Sequence, residues 1–426
     1  MEIYLAILLL LLLALLGAPL FSIIGAAALL AFYSVGIDSS AVIVELYRLA
    51  SASTLIAIPL FTFAGYVLAE SKTPQRLVNL AQALFGWMPG GLAVVALVSC
   101  AIFTAFTGAS GVTIIALGGL LYPILIKERY PEQFTLGLLT TSGSLGILFP
   151  PSLVIILYAL VSKISVDQLF VAGILPGVLL VVALAIFGVW RGAKAKIQRV
   201  PFRIANVSSA LKDAMWEAPL PFIVIGGIYG GLFTATEAAA VTAFYVVVVE
   251  VFIYRDLKLF TDIPRVMRES MILVGAILVI LGTALGLTNY LIDEQVPMRL
   301  FEVIREFTDS KIMFLILLNV FLLIVGMMMD IFSAIIVVVP LIIPVAKAYG
   351  IDPVHLGVIF LANLEIGYLT PPVGLNLFIS SFRFETPVVK VYRATLPYIG
   401  ILLIALLVIT YVPELSLWLV NLLGTR

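Results

Sequence analysis

Gly143–Ser152 reads GSLGILFPPS and places two adjacent prolines and two glycines inside one of the most apolar parts of the chain. Glycine permits an unwound turn, while each proline removes a backbone donor and ends the helix before it. In a membrane, backbone groups freed in this way are tolerated only when buried in protein or lining a polar cavity. The stretch therefore predicts a helix broken on purpose, with something to bind at the break.

That the surroundings are a membrane follows from composition. Of 426 residues, 63% are hydrophobic and 11% charged, whereas soluble domains carry roughly a quarter charged residues. Segments close to the length that crosses the hydrocarbon layer carry almost no charge, among them Leu175 to Trp190, Ala235 to Val249 and Leu396 to Val412. The N-terminal apolar run is not a signal peptide, because Glu2 stands where a basic region should be and the run continues through Leu30. It reads as two short membrane helices parted near Gly17 and Pro19. A net charge of zero and the lack of a basic block point to no polyanionic partner. The single cysteine, Cys100, excludes an intramolecular disulfide framework and a cysteine metal site.

Lysine and arginine set the orientation. Loops around Lys72 and Arg76, Lys127 and Arg129, Arg191 to Lys212, Arg255 to Arg268 and Arg383 to Arg393 hold 17 of the 24 basic residues, and all can face the cytoplasm if the N-terminus is outside. This works only if Gly90 to Ile126 and Ile312 to Ala346 each enter and leave on one side, the first as a re-entrant hairpin from inside and the second from outside. Their tips would be FTGAS, Phe106 to Ser110, and GMMMDIFS, Gly326 to Ser333.

The prolines show an internal repeat. Pro123, Pro150, Pro151 and Pro176 recur 221 positions later as Pro344, Pro371, Pro372 and Pro397, where chance would supply about 0.4 matches. Leu60, Thr62, Gly65 and Gly146 recur likewise as Leu281, Thr283, Gly286 and Gly367. The second copy of the break is NLEIGYLTPPVG, Asn363 to Gly374. Inverted repeats with interrupted helices near the midplane mark secondary transporters. The expected fold is an all-α polytopic membrane protein of two inverted-topology repeats, with re-entrant helical hairpins and broken helices. Scaffold helices and a first interfacial arm would occupy 1–89, and the transport region of the first repeat 90–160. Scaffold and a second arm would follow over 161–311, the second transport region over 312–381, and a C-terminal scaffold helix and tail over 382–426.

Carbonyls exposed at a break can coordinate a cation, and sodium, a hard ion, accepts carbonyl, hydroxyl and carboxylate oxygens. One sodium site is expected per repeat. Gly108 and Ser110 would meet Ser142, Gly143 and Gly146 in the first, and Asp330 and Ser333 would meet Gly367 and Thr370 in the second. The half-helices that start after each double proline would aim amide donors at a shared cavity near Pro151, Ser152, Thr370, Pro372 and Asn376, suited to an anionic substrate.

At these residues the chain resembles the large membrane subunit of the tripartite ATP-independent periplasmic (TRAP) transporters. The resemblance runs nearly end to end, through IPLFTFAGYVLAE near residue 60, MPGGLAVVALVSCAIFTAFTGAS, YPEQFTLGLLTTSGSLGILFPPS, LFVAGILPG, GLFTATEAAAV and MDIFSAIIVVVPLIIPVAKAYGIDPVHLGVIFLANLEIGYLTPPVGLNLF. It implies a sodium-driven importer of a small carboxylate in a bacterial inner membrane, with at least two Na+ ions and an elevator motion. It also implies a small four-helix membrane subunit and a periplasmic substrate-binding protein as partners. One departure is visible: many relatives have Ser-Gly-Ser-Ser at the first tip, and this chain has Thr107, Gly108, Ala109 and Ser110. Dicarboxylates, sugar acids such as sialic acid, and other small carboxylates all suit the architecture.

Other residues have plainer readings. Asp330, in an apolar hairpin, is the strongest intramembrane candidate, since a buried charge there costs about 2.5 to 3.5 kcal/mol. Glu237, after Thr234 and Thr236, reads as a helix cap. Glu365 stands between a cavity role and a structural one. His355, after Asp352 and Pro353, reads as a residue at an aqueous end, and Cys100 and the methionines at 327 to 329 as packing. The amphipathic stretches Thr73 to Trp87 and Asp293 to Asp309 read as interfacial arms that brace the hairpins. No GxxxxGK[ST] loop supports an ATP-driven pump, and one histidine cannot make HExxH. A self-sufficient sodium/dicarboxylate symporter and a channel with re-entrant loops remain as alternatives.

Overall fold

The computed structural model of the chain describes residues 8–10, 12–13, 16–38, 40–51, 53–194 and 201–423, and among them there are helices and loops but no β-strand. Glu2, the start of the first apolar run and part of the loop from Arg191 to Lys212 lie outside the described residues. Among the described residues seven helices are long and apolar enough to cross a bilayer, or eight if the pair Glu132–Leu148 and Leu153–Ser162, bent by 47°, is one span. The protein is all-α and polytopic.

The first apolar run turns at Leu16 and Gly17, where φ is 82°, and Pro19 precedes α1, Leu20–Ser34. α2 (Ser40–Ala50) and α3 (Ala57–Glu70) follow, and then the arm helix α4 (Thr73–Phe85), which starts on Pro74. The first hairpin is α5 (Gly91–Thr107) and α6 (Ser110–Lys127). Gly90 and Gly108, both left-handed with φ 69° and 64°, bound α5, so the chain can reverse in two residues at the tip. α7 (Glu132–Ser142) and α8 (Leu153–Ser162) are the halves of the first broken helix. The long α9 (Val166–Lys194), the short α10 (Ile204–Asp213) and α11 (Leu220–Tyr229), and α12 (Ala235–Ile253) complete the first half.

In the second half come α13 (Asp262–Asp293), the arm helix α14 (Val296–Phe307) and the second hairpin, α15 (Lys311–Met328) and α16 (Ile331–Ala348). α17 (Pro353–Gly367) and α18 (Leu375–Arg383) form the second broken helix, followed by α19 (Val388–Tyr411) and α20 (Glu414–Leu422).

The repeat seen in the prolines governs helix boundaries as well. Both ends of α6 recur at an offset of 221 as the ends of α16, and the same offset carries the start of α7 at Glu132 onto the start of α17 at Pro353. The two copies interlock. α8 packs on α16 of the other repeat, and α18 packs on α6. This reciprocity is what a pseudo-two-fold relation between the copies requires. α18 approaches α6 through small residues, since a methyl group on Gly111 would lie 2.8 Å from the Ile379 side chain. Arg383 then donates from Nε to the Ile115 carbonyl, at 2.9 Å, where α6 widens into a π-helical turn over Ile114–Gly118.

The broken helices are the centre of the molecule. Phe134 to Ser142 in α7 and Val354 to Gly367 in α17 are buried on every face, which explains why they lack an amphipathic stripe. α9 lies along α5 and the first break, and α19 lies along α7. A methyl group on Gly173 would meet the Leu148 carbonyl oxygen at 2.1 Å, and one on Gly137 the Ala394 carbonyl oxygen at 2.2 Å. α13 gathers α1, α2 and α3 beside it, and α12 packs on α3. The arms contact the hairpins, α4 against α5 and α14 against α16.

Charge fixes the base of the first arm. Arg76 of α4 donates from Nε and Nη2 to Glu217, from Nη2 to Glu250 at 3.0 Å and from Nη1 to Asp256 at 2.7 Å, with the Tyr254 ring 3.9 Å away. Thr73 Oγ1 adds a 2.6 Å bond to Glu217. Burial alone would lower the guanidinium's affinity for its proton, but hydrogen bonding to Glu217 and the surrounding acids raise it further, so Arg76 stays charged. One cation thus ties the arm to the α11 approach and the end of α12. The sequence reading missed this cluster, although Glu250 inside the apolar run of α12 was the signal for it.

Two predictions follow from this packing. A methyl group on Gly146 would lie 2.2 Å from the Ala101 carbonyl oxygen and 2.6 Å from the Ala105 nitrogen, whereas one on Gly275 meets nothing within 4 Å. Gly146→Ala should lower stability in detergent by about 1–3 kcal/mol, and Gly275→Ala should be neutral or slightly stabilising; equal melting curves would contradict the close seating of α5 on the break. Arg76→Met strands three carboxylates and should cost about 3 kcal/mol. An unchanged thermal unfolding profile would show that apolar packing alone holds the arm.

Candidate ion and substrate site

At the first break the chain leaves α7 through Gly143 and Ser144, makes a 3-10 turn over Leu145–Leu148 and restarts after the cis Pro150–Pro151 bond. The turn satisfies its own backbone where it can: Ile147 donates to the Ser144 carbonyl at 3.0 Å and Phe149 to that of Gly146 at 3.0 Å. Gly143 finds a partner on the hairpin, its carbonyl accepting from Thr104 Oγ1 at 2.8 Å, and Thr104 Oγ1 lies 2.7 Å from Thr113 Oγ1. Gly108 at the tip sits against the start of α8, where an added methyl would lie 2.5 Å from Leu153 Cβ. A methyl on Gly143 would lie 3.3 Å from the Ser110 carbonyl oxygen. The structure thus brings Gly108, Ser110, Gly143 and Gly146 together around the first tip. Ser142 is buried beside them, with its hydroxyl turned to the Leu139 carbonyl at 3.2 Å. Thr104 and Thr113, which the sequence reading did not single out, belong to the same cluster; hydroxyls facing each other across an apolar hairpin were their signal.

The second break copies the seating with different chemistry. α15 ends where Gly326 meets Gly367, whose added methyl would lie 2.5 Å from the Gly326 Cα. The Met327 carbonyl accepts from the Gly374 amide at 3.0 Å, just past the cis Pro371–Pro372 bond. Asp330 is the N-cap of α16. Its Oδ1 accepts from the Phe332 and Ser333 amides, each at 3.0 Å, and its Oδ2 accepts from Ser333 Oγ. The Asp330 side chain is exposed at the tip, and its charge lies against the positive end of α16. A carboxylate offers about four acceptor sites, so capacity for an ion remains after these three bonds. Thr370 is half-buried and bonds back to the Ile366 carbonyl at 3.0 Å. Ala109, the counterpart of Asp330 at the 221 offset, is the N-cap of α6 and contributes no side-chain bond, which gives the missing serine of the first tip a physical meaning.

The expected substrate residues divide unequally. Asn376 is buried and crosses to the other repeat, accepting on Oδ1 from Ser110 Oγ at 2.7 Å and reaching the Thr140 carbonyl from Nδ2 at 3.5 Å. Pro151 and Ser152 are buried too, and the Ser152 hydroxyl has no partner among the described residues. Pro372 is exposed, so it does not close a buried cavity with Pro151. Cavities of about 420 and 310 Å³ flank the first hairpin, and the smaller reaches Pro150, but apolar side chains such as Leu77, Ile102, Phe106 and Val178 wall them, which makes them poor hosts for an anion. Oxygen donors dominate the tips, and among the described residues no three His, Cys, Asp or Glu side chains cluster as a metal site. Hydroxyl, amide and carbonyl oxygens of this kind fit sodium.

His355 departs from its reading. It is buried, not at an aqueous end, with Nδ1 3.1 Å from Ser416 Oγ and Nε2 3.2 Å from the Thr410 carbonyl oxygen, while Asp352 does the capping. Packing of α20 over the end of α17 covers it, a tertiary effect invisible in local sequence. The same face carries Asn319, Asn363 and Thr410, with Asn363 Nδ2 donating to Asn319 Oδ1 at 2.6 Å. Glu237 is a cap, paired with Thr234 in a reciprocal capping box. Glu365 is fully buried and neither of its oxygens has a partner among the described residues, and Cys100 is buried in the core.

Comparison with known proteins bears on this arrangement. Residues 6–415 match the family described as "Tripartite ATP-independent periplasmic transporter, DctM component". A C4-dicarboxylate TRAP transporter large permease protein DctM of Pseudomonas aeruginosa is 39% identical over 403 residues, 94% of this chain and 93% of that protein. The protein of the same name from Vibrio cholerae is 36% identical over 391 residues, 87% of this chain and 86% of that one. The crystal structure of the YdaH transporter of Alcanivorax borkumensis, described as having an unusual topology, shares the fold at a TM-score of 0.62 and 15% identity, over 89% of this chain and 87% of that one. With residues 6–415 matched and relatives 36–39% identical over most of both lengths, the chain belongs to the DctM family, the large permease component of tripartite ATP-independent periplasmic transporters.

Proposed function

We propose that this chain is the carrier of a sodium-coupled importer for a small carboxylate, a C4-dicarboxylate being favoured by the names of the two relatives above. The observation that carries the reading is the Ser110–Asn376 bond, with Thr104 and Gly143 beside it, which makes both repeats contribute oxygens to one tip. Sodium is assigned to Gly108, Ser110, Ser142, Gly143 and Gly146 in the first repeat and to Asp330, Ser333, Gly367 and Thr370 in the second. The carboxylate is assigned to the ground between them, near Ser152 and Asn376. Adjacent cations would couple its occupancy to that of sodium.

The motion proposed is an elevator. Hairpins and broken helices would move as one body against a scaffold built on α1, α2, α3, α12 and α13. The close glycine contacts of α9 with the first break and of α19 with α7 favour including both long helices in the mobile body, rather than in the scaffold where the sequence division places them. The family's tripartite description supports a small four-helix membrane subunit and a periplasmic binding protein as partners. The distribution of basic residues supports an inner-membrane orientation with the N-terminus in the periplasm.

Reconstitution with the two partner proteins tests the reading. Succinate uptake should be saturable and should vanish when sodium is replaced by potassium; uptake indifferent to sodium, or nonsaturating, would contradict it. Within that assay Asp330→Asn is a clean probe, because asparagine caps helices as well as aspartate does. It should raise the sodium concentration for half-maximal uptake by about three-fold or more, since about 0.7 kcal/mol or more of attraction is lost, while leaving the unfolding profile intact. A superimposable sodium titration would remove Asp330 from the site. Motion is tested with Cys100→Ala protein carrying a cysteine pair between α3 near Gly65 and α5 near Phe106. Cross-linking should stop uptake and reduction should restore it, whereas full activity in the locked protein would rule out sliding at this seam.

A further inference from the structure

A further cavity differs from the apolar ones in its charge. It is a half-open space of about 460 Å³ between α2 and α13 on one side and, on the other, α16 and the turn that follows α8, with Lys163 and Lys347 exposed at it. Arg48, Lys163 and Lys347 line it, with Thr288 and Asn289 adding neutral polar groups and no carboxylate among the described residues of its walls. Each cation stands at the C-terminal end of a helix: Arg48 in the last turn of α2, Lys163 directly after α8 and Lys347 in the last turn of α16.

The plain reading is that these residues neutralise helix ends. Each C-terminus carries roughly half a negative charge, so the two ends beside Lys163 and Lys347 amount to about one against two cations. A positive surplus is left over. Arg48 has an interaction of its own, so the inference rests on the two lysines, neither of which forms an ion pair among the described residues. Lys163 also holds a left-handed backbone, φ 58°, that favours glycine, yet a lysine is what occupies it. Two acids, Asp167 and Glu237, line an adjoining cavity that shares Lys163, and Glu237 is already engaged in its capping box; Asp293 and Asp352 adjoin the lining residues Ile292 and Pro353 in the chain, and Asp352 caps α17. Apolar neighbours such as Leu285 and Ile343 wall the space, and low-dielectric walls focus the field of the surplus charge.

We propose that this cavity is an anion-holding site at the seam between scaffold and mobile body, taking a carboxylate or a phosphate between Lys163 and Lys347. If the ligand is the transported carboxylate, the site deepens the function proposed above, and on that orientation it lies on the periplasmic side. A lipid headgroup would meet the same chemistry.

The test exploits the single native cysteine, Cys100, which is 1% exposed. Ser162→Cys and Thr288→Cys place a thiol on opposite walls of the cavity without touching a lysine, and either suffices if the other fails to fold. Relative to a free thiol, the anionic sulfonatoethyl methanethiosulfonate should label these positions about ten-fold faster than the cationic trimethylammonioethyl reagent. Lys163→Gln with Lys347→Gln should bring that ratio to about one. Slowing of labelling by millimolar succinate in pure phosphatidylcholine vesicles identifies a carboxylate, and slowing only in vesicles containing phosphatidylglycerol identifies a lipid phosphate. The proposal is overturned by equal labelling with both reagents, by a preference that survives loss of both lysines, or by a preference that neither probe blocks. Because no transport is measured, a failure of carboxylate uptake would sink the functional reading and leave this result standing.

Discussion

Everything in this fold depends on one constraint: in a bilayer, backbone that leaves a helix must be answered by protein. The chain leaves a helix twice at its centre, after Ser142 and after Gly367. Each time the hairpin of the same repeat supplies the answer. Thr104 donates to the Gly143 carbonyl, and Met327 accepts from the Gly374 amide. Close backbone approach makes this possible, and it is why glycine occurs where it does, at 143 and 146 in one copy and at 326, 367 and 374 in the other. Arms, long helices and the charged joint at Arg76 then hold the hairpins where the breaks need them.

The copies share a frame and differ in content. Helix boundaries repeat, and the interlock of α8 with α16 and α18 with α6 is reciprocal. The first break is closed over, with Pro150, Pro151 and Ser152 buried, while Pro372 and Val373 of the second are exposed. The first tip relies on hydroxyls and an asparagine lent by the second repeat, and the second tip carries a carboxylate of its own. Such a division suits two cation sites of unlike strength around one anion: the neutral set binds through geometry, and the charged set adds Coulomb attraction.

Much of the fold was legible in sequence because breaks, repeats and hairpin tips are written in glycine and proline, whose effects are local. The residues GSLGILFPPS predicted an interruption, and the 221 offset located its partner to the residue. Charge-bearing positions were less legible, because their roles depend on what covers them. Asp330 stood out by its apolar neighbours, and only the fold shows that it caps α16. His355 looked aqueous beside Asp352, yet α20 buries it. The bond of Asn376 to Ser110 was not legible, since nothing in local sequence shows that α18 lies on the other repeat's hairpin. Arg76, Glu217, Glu250 and Asp256 are far apart in the chain, and only the fold assembles them.

The central claim is that each break with its hairpin tip is a cation site rather than a structural joint alone. Thallium, which takes the same oxygen ligands and scatters strongly, permits the most direct measurement: crystals of the protein grown in thallium in place of sodium, read by anomalous difference density. The account predicts one peak among Ser110, Gly143 and Gly146 and another beside Asp330, Ser333 and Gly367, both removed by excess sodium. Ordered breaks with no density at either tip, or peaks that sodium does not displace, would contradict it.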